Sequence, residues 1–186
     1  MDPHRLAPAR RRLLRQGASL AAAVALPLLA LPARASVPAA RSLAMSHTHT
    51  RERLELVYAD AHDYLPEALG TLNRFLRDHY SGEVGNMHPP LFDVLHELRQ
   101  ALGRTGPFEI ISAYRCPATN DRLRNTRGGG VAKQSLHMQG RAVDVRLPGV
   151  PLAELRDAAI SLRAGGVGYY PDSRFVHLDT GRVRSW

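Results

Sequence analysis

Apolar positions recur at helical spacing in three stretches of this chain. Leu65, Leu69, Leu72 and Leu76 predict an amphipathic helix over about residues 63–78. Leu91, Leu95, Leu98 and Leu102 predict a second, entered through Pro89-Pro90 and left at Gly103. Leu152, Leu155, Ala159 and Leu162 predict a third, closed by Gly165-Gly166. Thr119 is placed to cap a short helix running through Leu123. Phe108-Glu109-Ile110-Ile111-Ser112 is the first convincing strand, and Ala142 to Leu147 is another. Val167–Tyr170 and Phe175–Thr180 read as a hairpin around Pro171-Asp172-Ser173. Helices first and strands later, with a closing hairpin, define an α+β fold: an antiparallel sheet with helices packed on one side.

The start of the chain has no such pattern. Arg10-Arg11-Arg12 precedes an apolar stretch from Ala18 to Leu31, and Ala33-Arg34-Ala35 has the small-x-small form cut by signal peptidases. Residues 1–35 therefore read as a twin-arginine signal peptide, with Ser36 the mature N-terminus and the periplasm or cell envelope the destination. An uncleaved anchor is the other reading, disfavoured by Pro27 and Pro32. Residues 36–50, rich in Ala, Pro, Ser and Thr, read as a disordered leader in which His47 and His49 are solvated. The catalytic domain is then 51–186. Gly128-Gly129-Gly130 is a connection and not a phosphate loop, since no Lys-Ser/Thr pair follows at the required spacing.

Removing the signal changes the charge argument. The chain has 25 basic and 17 acidic residues, of which six and one lie in 1–35, leaving 19 against 16, or +3. A nucleic-acid partner is not indicated, nor is a stable membrane span after signal cleavage. Cys116 is the only cysteine, so no intramolecular disulfide forms.

The candidate chemistry is a histidine, a carboxylate and a second histidine. His137 precedes Asp144 by seven residues, and His177 lies on the last apolar strand. Alternation puts Asp144 opposite the apolar Val143 and Val145, and His177 opposite Val176 and Leu178. Neighbouring strands would bring both onto the open face, where His137 arrives from a loop that Gly140 lets turn sharply. Two imidazoles and one carboxylate suit Zn²⁺ and leave a fourth position for water. Spacing alone also admits a sheet with two ordinary surface histidines and a surface aspartate. His88 and His96, beside the second helix, read as packed or solvent-facing.

Ser135-x-His137-x-x-Gly140-x-Ala142-x-Asp144, followed by His177-x-Asp179, resembles the zinc D-alanyl-D-alanine carboxypeptidase family. Within it the chain is most similar to the YcbK-like branch of murein endopeptidases. Ser112-Ala113-Tyr114-Arg115, then Pro117, Thr119 and Asn120, and the closing Gly181 to Trp186 extend the match over about residues 60–186. The fold so implied is the one shared with lysostaphin-type peptidases and the hedgehog amino-terminal domain, with a zinc site on the open face of the sheet.

The resemblance implies one Zn²⁺ on His137, Asp144 and His177, with hydrolysis of murein peptide crosslinks by metal-activated water. It makes Arg115 a binder of a substrate carboxylate or a developing oxyanion. Ser135 and Asn120 are further candidate substrate contacts, Asn120 alternatively a loop cap. Many relatives have a carboxylate general base three residues before the last histidine; Arg174 stands there in this chain and cannot accept a proton. Asp179 is the candidate for that base, or for an orienter of the metal ligands; Asp172 lies in the predicted turn. Cys116 has no partner base and is no nucleophile. Two other functions remain open: a D,D-carboxypeptidase that trims stem peptides, and a zinc-containing peptidoglycan-binding module without efficient catalysis, which Arg174 motivates.

Overall fold

The computed structural model describes residues 40–126 and 131–186. The expected signal peptide at 1–35 and the glycine run at 128–130 lie outside the described residues. Among the described residues no helix is long and apolar enough to cross a membrane.

The described residues open on strands, where a disordered leader was expected over 36–50. β1 (Arg41–His47) and β2 (Arg53–Asp60) form an antiparallel hairpin, and β3 (Asp63–Tyr64) adds to its outer edge. Leu43 and Met45 of β1 and Tyr58 of β2 are fully buried. β1 escapes recognition because small Ser and Ala side chains separate its two large apolar residues, which is too little contrast for an alternation argument. His47, expected in solvent, is 1 % exposed.

The helices fall where the leucine spacing puts them. α1 (Pro66–Phe75) and α2 (Pro90–Ala101) each begin at a proline, whose missing N–H is one that a first turn leaves unbonded anyway. β4 (Phe108–Ser112) follows, then α3 (Pro117–Thr126), a single 3-10 turn at Leu136–Gln139, and β5 (Ala142–Arg146). α4 (Leu152–Leu162) precedes the hairpin of β6 (Gly166–Tyr170) and β7 (Phe175–Asp179), and β8 (Arg184–Ser185) ends the chain.

The strands form one sheet in the order β3-β2-β1-β4-β5-β7-β6-β8. Pairing is antiparallel except between β1 and β4 and between β6 and β8. α2 packs on β1 and on α4, α4 on β6 and β7, and α1 on β2. The core lies between: Leu91, Leu95 and Leu98 of α2 and Leu155 of α4 bury against Val143, Val145, Val176 and Leu178. Each fully buried aliphatic side chain contributes about 1.5–3 kcal/mol of burial free energy. With those residues turned inward, period-two alternation sends Asp144 and His177 to the other face.

Candidate metal centre

Three local devices assemble the site. β5 and β7 pair antiparallel with Asp144 directly opposite His177, so one register brings two of the three side chains together. A one-residue slip of β7 against β5 would turn His177 into the core and away from Asp144. β4 then carries a bulge: Ile110 pairs with Val145 but Ser112 with Asp144, leaving Ile111 as the extra residue. The bulge turns both Ile111 and Ser112 toward the cavity they line.

His137 arrives on the 3-10 turn. Ser135 Oγ caps this turn by accepting from the His137 N–H (3.3 Å), and Gly140 ends it at φ +64°. A Cβ at Gly140 would sit 2.0 Å from the Asn86 carbonyl oxygen, so the close approach needs glycine. The Arg115 N–H donates to the His137 carbonyl (3.2 Å) and the His88 N–H to that of Gly140 (2.8 Å), clamping the turn at both ends.

The side-chain geometry decides what the triad holds. His137 Nδ1 lies 2.7 Å from the Ala113 carbonyl, which can only accept, so that nitrogen bears the proton and Nε2 is bare. His177 lies between two carboxylates, with Nε2 3.1 Å from Asp179 Oδ2 and Nδ1 2.9 Å from Asp144 Oδ1, so when the ring is neutral and Nε2 donates to Asp179, Nδ1 is bare. These two bare nitrogens are 3.2 Å apart, and Asp144 Oδ1 is 2.9 Å from one and 3.4 Å from the other. Three potential ligand atoms therefore converge within 4.8 Å of one another. Four ligands at zinc distances in a tetrahedron stand about 3.3 Å apart. The residues fit such an ion, and all three line a cavity.

The electrostatics agree. Burial opposes charging His177, but its contacts with Asp144 and Asp179 override that and raise its pKa to about 9. Burial also opposes ionising Asp144, yet the two histidines hold its carboxyl well below the usual range. The pocket demands a cation, either a proton on His177 or a metal in its place.

Asp179 is fully buried and saturated with donors. It accepts from His177 Nε2, from the Gly166 and Gly181 N–H groups (3.1 and 2.8 Å), and from both terminal nitrogens of Arg184 (3.1 and 2.7 Å). A Cβ at Gly166 would meet its Oδ2 at 2.5 Å, so the Gly165-Gly166 pair that reads as a helix stop also makes room for this carboxylate. Those contacts outweigh burial and lower its pKa.

The other expected residues divide. Arg115 and Ser135 line a cavity of about 450 Å³ together with the triad, a size that admits a small ligand or peptide segment. Arg115 reaches Asn120 Oδ1 and Ser112 Oγ, both at 3.4 Å. Asn120 corrects its expectation: it is 0 % exposed and does not line the cavity. Its Nδ2 donates to the Ala132 carbonyl (3.1 Å), so it braces Arg115 and the chain entering the metal turn. Arg174 adopts φ +55° in the β6–β7 turn and lines a separate cavity with Glu109, Arg146 and Tyr169. The position expected to hold a base thus points away from the metal centre. Cys116 is buried, its N–H bonded to Asp78 Oδ2 (3.0 Å) and its Sγ 3.3 Å from Thr119 Oγ1.

Sequence reasoning missed His49, His79, Tyr80, Tyr170, Arg184 and Trp186, which also line the cavity. The Trp186 ring lies 5.4 Å from that of His177, and its Nε1 donates to the Tyr170 hydroxyl (2.8 Å). These residues come from four separate segments, and no short-range spacing links them. Asp144 is the only residue with a side-chain carboxylate among the described cavity residues.

Comparison with known proteins agrees with a metallopeptidase site. Residues 35–186 match the family model described as peptidoglycan L,D-endopeptidase MepK. The peptidoglycan L,D-endopeptidase MepK of Escherichia coli K12 is 44 % identical over 177 residues, covering 95 % of this chain and 96 % of that protein. That of Shigella flexneri shows the same identity and coverage. The probable peptidoglycan L,D-endopeptidase MepK of Haemophilus influenzae is 41 % identical over 155 residues, 83 % of each chain. No solved structure matches. The chain belongs to the MepK family of peptidoglycan endopeptidases.

Proposed function

We propose that His137, Asp144 and His177 hold one Zn²⁺ and that the chain hydrolyses L,D-peptide bonds in the peptide crosslinks of murein. As a member of its family the chain is a peptidoglycan peptide hydrolase of the metallopeptidase type. The observation that carries the zinc reading is the convergence of two bare imidazole nitrogens and one carboxylate oxygen. A Zn²⁺ bound there supplies Lewis acidity for the scissile carbonyl and an activated water.

The chain's own residues do the rest. Ala113 and Asp179 fix the tautomers of His137 and His177, holding the metal-facing nitrogens free of protons. Asp179 acts as this orienter and not as the base, because its oxygens are fully engaged away from the cavity. Arg115, on the cavity wall, binds a substrate carboxylate or the developing oxyanion. Ser135 shapes the turn that carries His137 and borders the substrate. Arg174 borders the other cavity, and the hydrolysis assay below separates the enzyme from a zinc-containing binding module without efficient catalysis. The twin-arginine segment in residues 1–35 directs the enzyme to the periplasm, where this substrate is found.

The test is mass spectrometry of crosslinked muropeptide dimers incubated with the purified protein and zinc. The reading expects monomeric stem peptides that disappear with a chelator and with His177→Ala. Intact dimers after incubation with zinc-loaded protein would refute it.

A further inference from the structure

A second histidine cluster borders the cavity and has no part in the metal centre. His49 and His79 stack in parallel with ring centres 4.0 Å apart and planes 4° apart, and both line the cavity. His47 stands behind them, its ring 5.5 Å from that of His79 in an edge-on arrangement. Asp78 holds the turn: its Oδ1 accepts from the Tyr80 N–H (2.9 Å), and its Oδ2 from the Cys116 N–H (3.0 Å). His79 and Arg115 are thereby tied to neighbouring points of one wall.

The nitrogens of this cluster are ordered by their surroundings. His47 Nδ1 lies 3.2 Å from the His49 N–H and 3.4 Å from the Thr50 N–H. Both are donors, so Nδ1 is the acceptor and the ring proton sits on Nε2. Among the described residues, His47 Nε2 and His79 Nε2 are both buried without a hydrogen-bond partner. A buried donor and a buried acceptor on adjacent rings have their simplest partners in one another, across a small ring rotation or one bridging water. With such a bridge in place His79 would accept at Nε2 and carry its proton on Nδ1. His79 is also uncharged near neutrality: burial, then His49 and His47, lower its pKa to about 4, with Arg115 adding to this and Asp78 opposing it.

We infer that His79, set in its Nδ1–H tautomer by His47 and stacked on His49, is a substrate-binding residue that works with Arg115 to grip a carboxylate of the stem peptide. The chemistry of the wall selects an anionic ligand. Arg115, Arg184 and four histidines border the cavity, two of them in the triad, and Asp144, a member of that triad, is its only acidic residue among those described. A neutral N–H donor beside a guanidinium grips a carboxylate without the desolvation cost of a second buried cation. His47 is a positioning residue, acting through His79. This inference rests on the murein-peptide reading above, since stem peptides supply the carboxylates.

The experiment compares His79→Asn with His79→Gln in the zinc-loaded enzyme, on crosslinked muropeptide dimers and on the same dimers with their carboxyl groups amidated. The Asn amide nitrogen overlays imidazole Nδ1, whereas that of Gln overlays Nε2, so only Asn keeps the donor in place. A hydrogen bond to a charged group is worth roughly a tenfold change in affinity or more. His79→Gln is therefore expected to raise KM about tenfold with kcat within about twofold, while His79→Asn stays within about threefold of the parent. The Gln penalty should vanish on the amidated dimer, which the parent itself binds more weakly. Equal behaviour of Asn and Gln, an unchanged KM, or loss of kcat at constant KM would overturn the inference. If His79→Gln does not fold, parental KM decides, because indifference to amidation is equally fatal. If the parent cleaves no dimer, the murein hydrolase reading fails by itself. Calorimetric binding of the same dimers, with the same Asn–Gln order, then decides this inference separately.

Discussion

Two histidine clusters share one cavity and differ in what stands behind each ring. Behind His137 and His177 are acceptors, the Ala113 carbonyl and the Asp179 carboxylate, which draw the ring protons outward and leave bare nitrogens facing inward. Behind His47 are donors, the His49 and Thr50 N–H groups, which push its proton the other way. The first cluster includes a carboxylate and converges on a point; the second has no carboxylate, and two of its rings lie flat against each other. Three histidines in proximity do not make a metal site. The tautomer imposed from behind decides between a ligand set and a donor wall.

The comparison breaks most completely when the first cluster loses a ligand. Asp144→Asn and His177→Ala should each abolish zinc retention and peptide hydrolysis, read by metal analysis and muropeptide digestion. His47→Phe should leave zinc stoichiometry at the parental value in the same assays.

Acid separates the clusters next. Burial, then His49 and Arg77, lower the His47 pKa from 6.5 to about 4, with Glu52 opposing. A histidine with a depressed folded-state pKa takes up its proton more readily when unfolded. Its stabilisation is therefore complete above pH 6.5 and is lost as pH falls toward 4. His177 has the opposite sign, with its pKa raised to about 9: its contribution in metal-free protein is complete below 6.5 and is lost as pH rises through 9. In denaturant unfolding of metal-free protein His47 should contribute a loss on the order of 3 kcal/mol between pH 6.5 and 4, to which His79, whose pKa is also lowered to about 4, adds. His47→Phe should shrink that acid limb and leave the alkaline one.

Asp179→Asn sharpens the comparison without removing a ligand. Weakening the partner behind His177 should lower zinc affinity about 10- to 100-fold, measured by competition with a chelating dye. The smallest effect belongs to Arg174→Ala. Its side chain borders the other cavity, so kcat/KM should stay within about twofold of the parent.

The same contrast explains what the sequence discloses. The metal cluster is legible because it lies on strands with strong alternation: Val143-Asp144-Val145 and Val176-His177-Leu178 set both ligands on the open face. Gly140 and the spacing from Ser135 to Asp144 mark the turn between. The histidine wall is not legible, because β1 has weak alternation and His47-Thr48-His49 reads as part of a polar leader. His79 is placed at the cavity by Asp78, whose bond to Cys116 is tertiary. Asn120 is misread for a similar reason, since nothing local shows that its amide is spent on Ala132. The missing base at Arg174 is a question of direction: the left-handed turn aims that residue at the other cavity, and sequence distance from His177 does not record this.

The measurement that tests the account most directly is the zinc content of the purified protein, by elemental analysis after dialysis against zinc-free buffer, for the parent and for His137→Ala. Convergent bare donors predict about one zinc per parent chain and none in the variant. A parent chain without zinc, or a variant that keeps it, would contradict the metal centre described above.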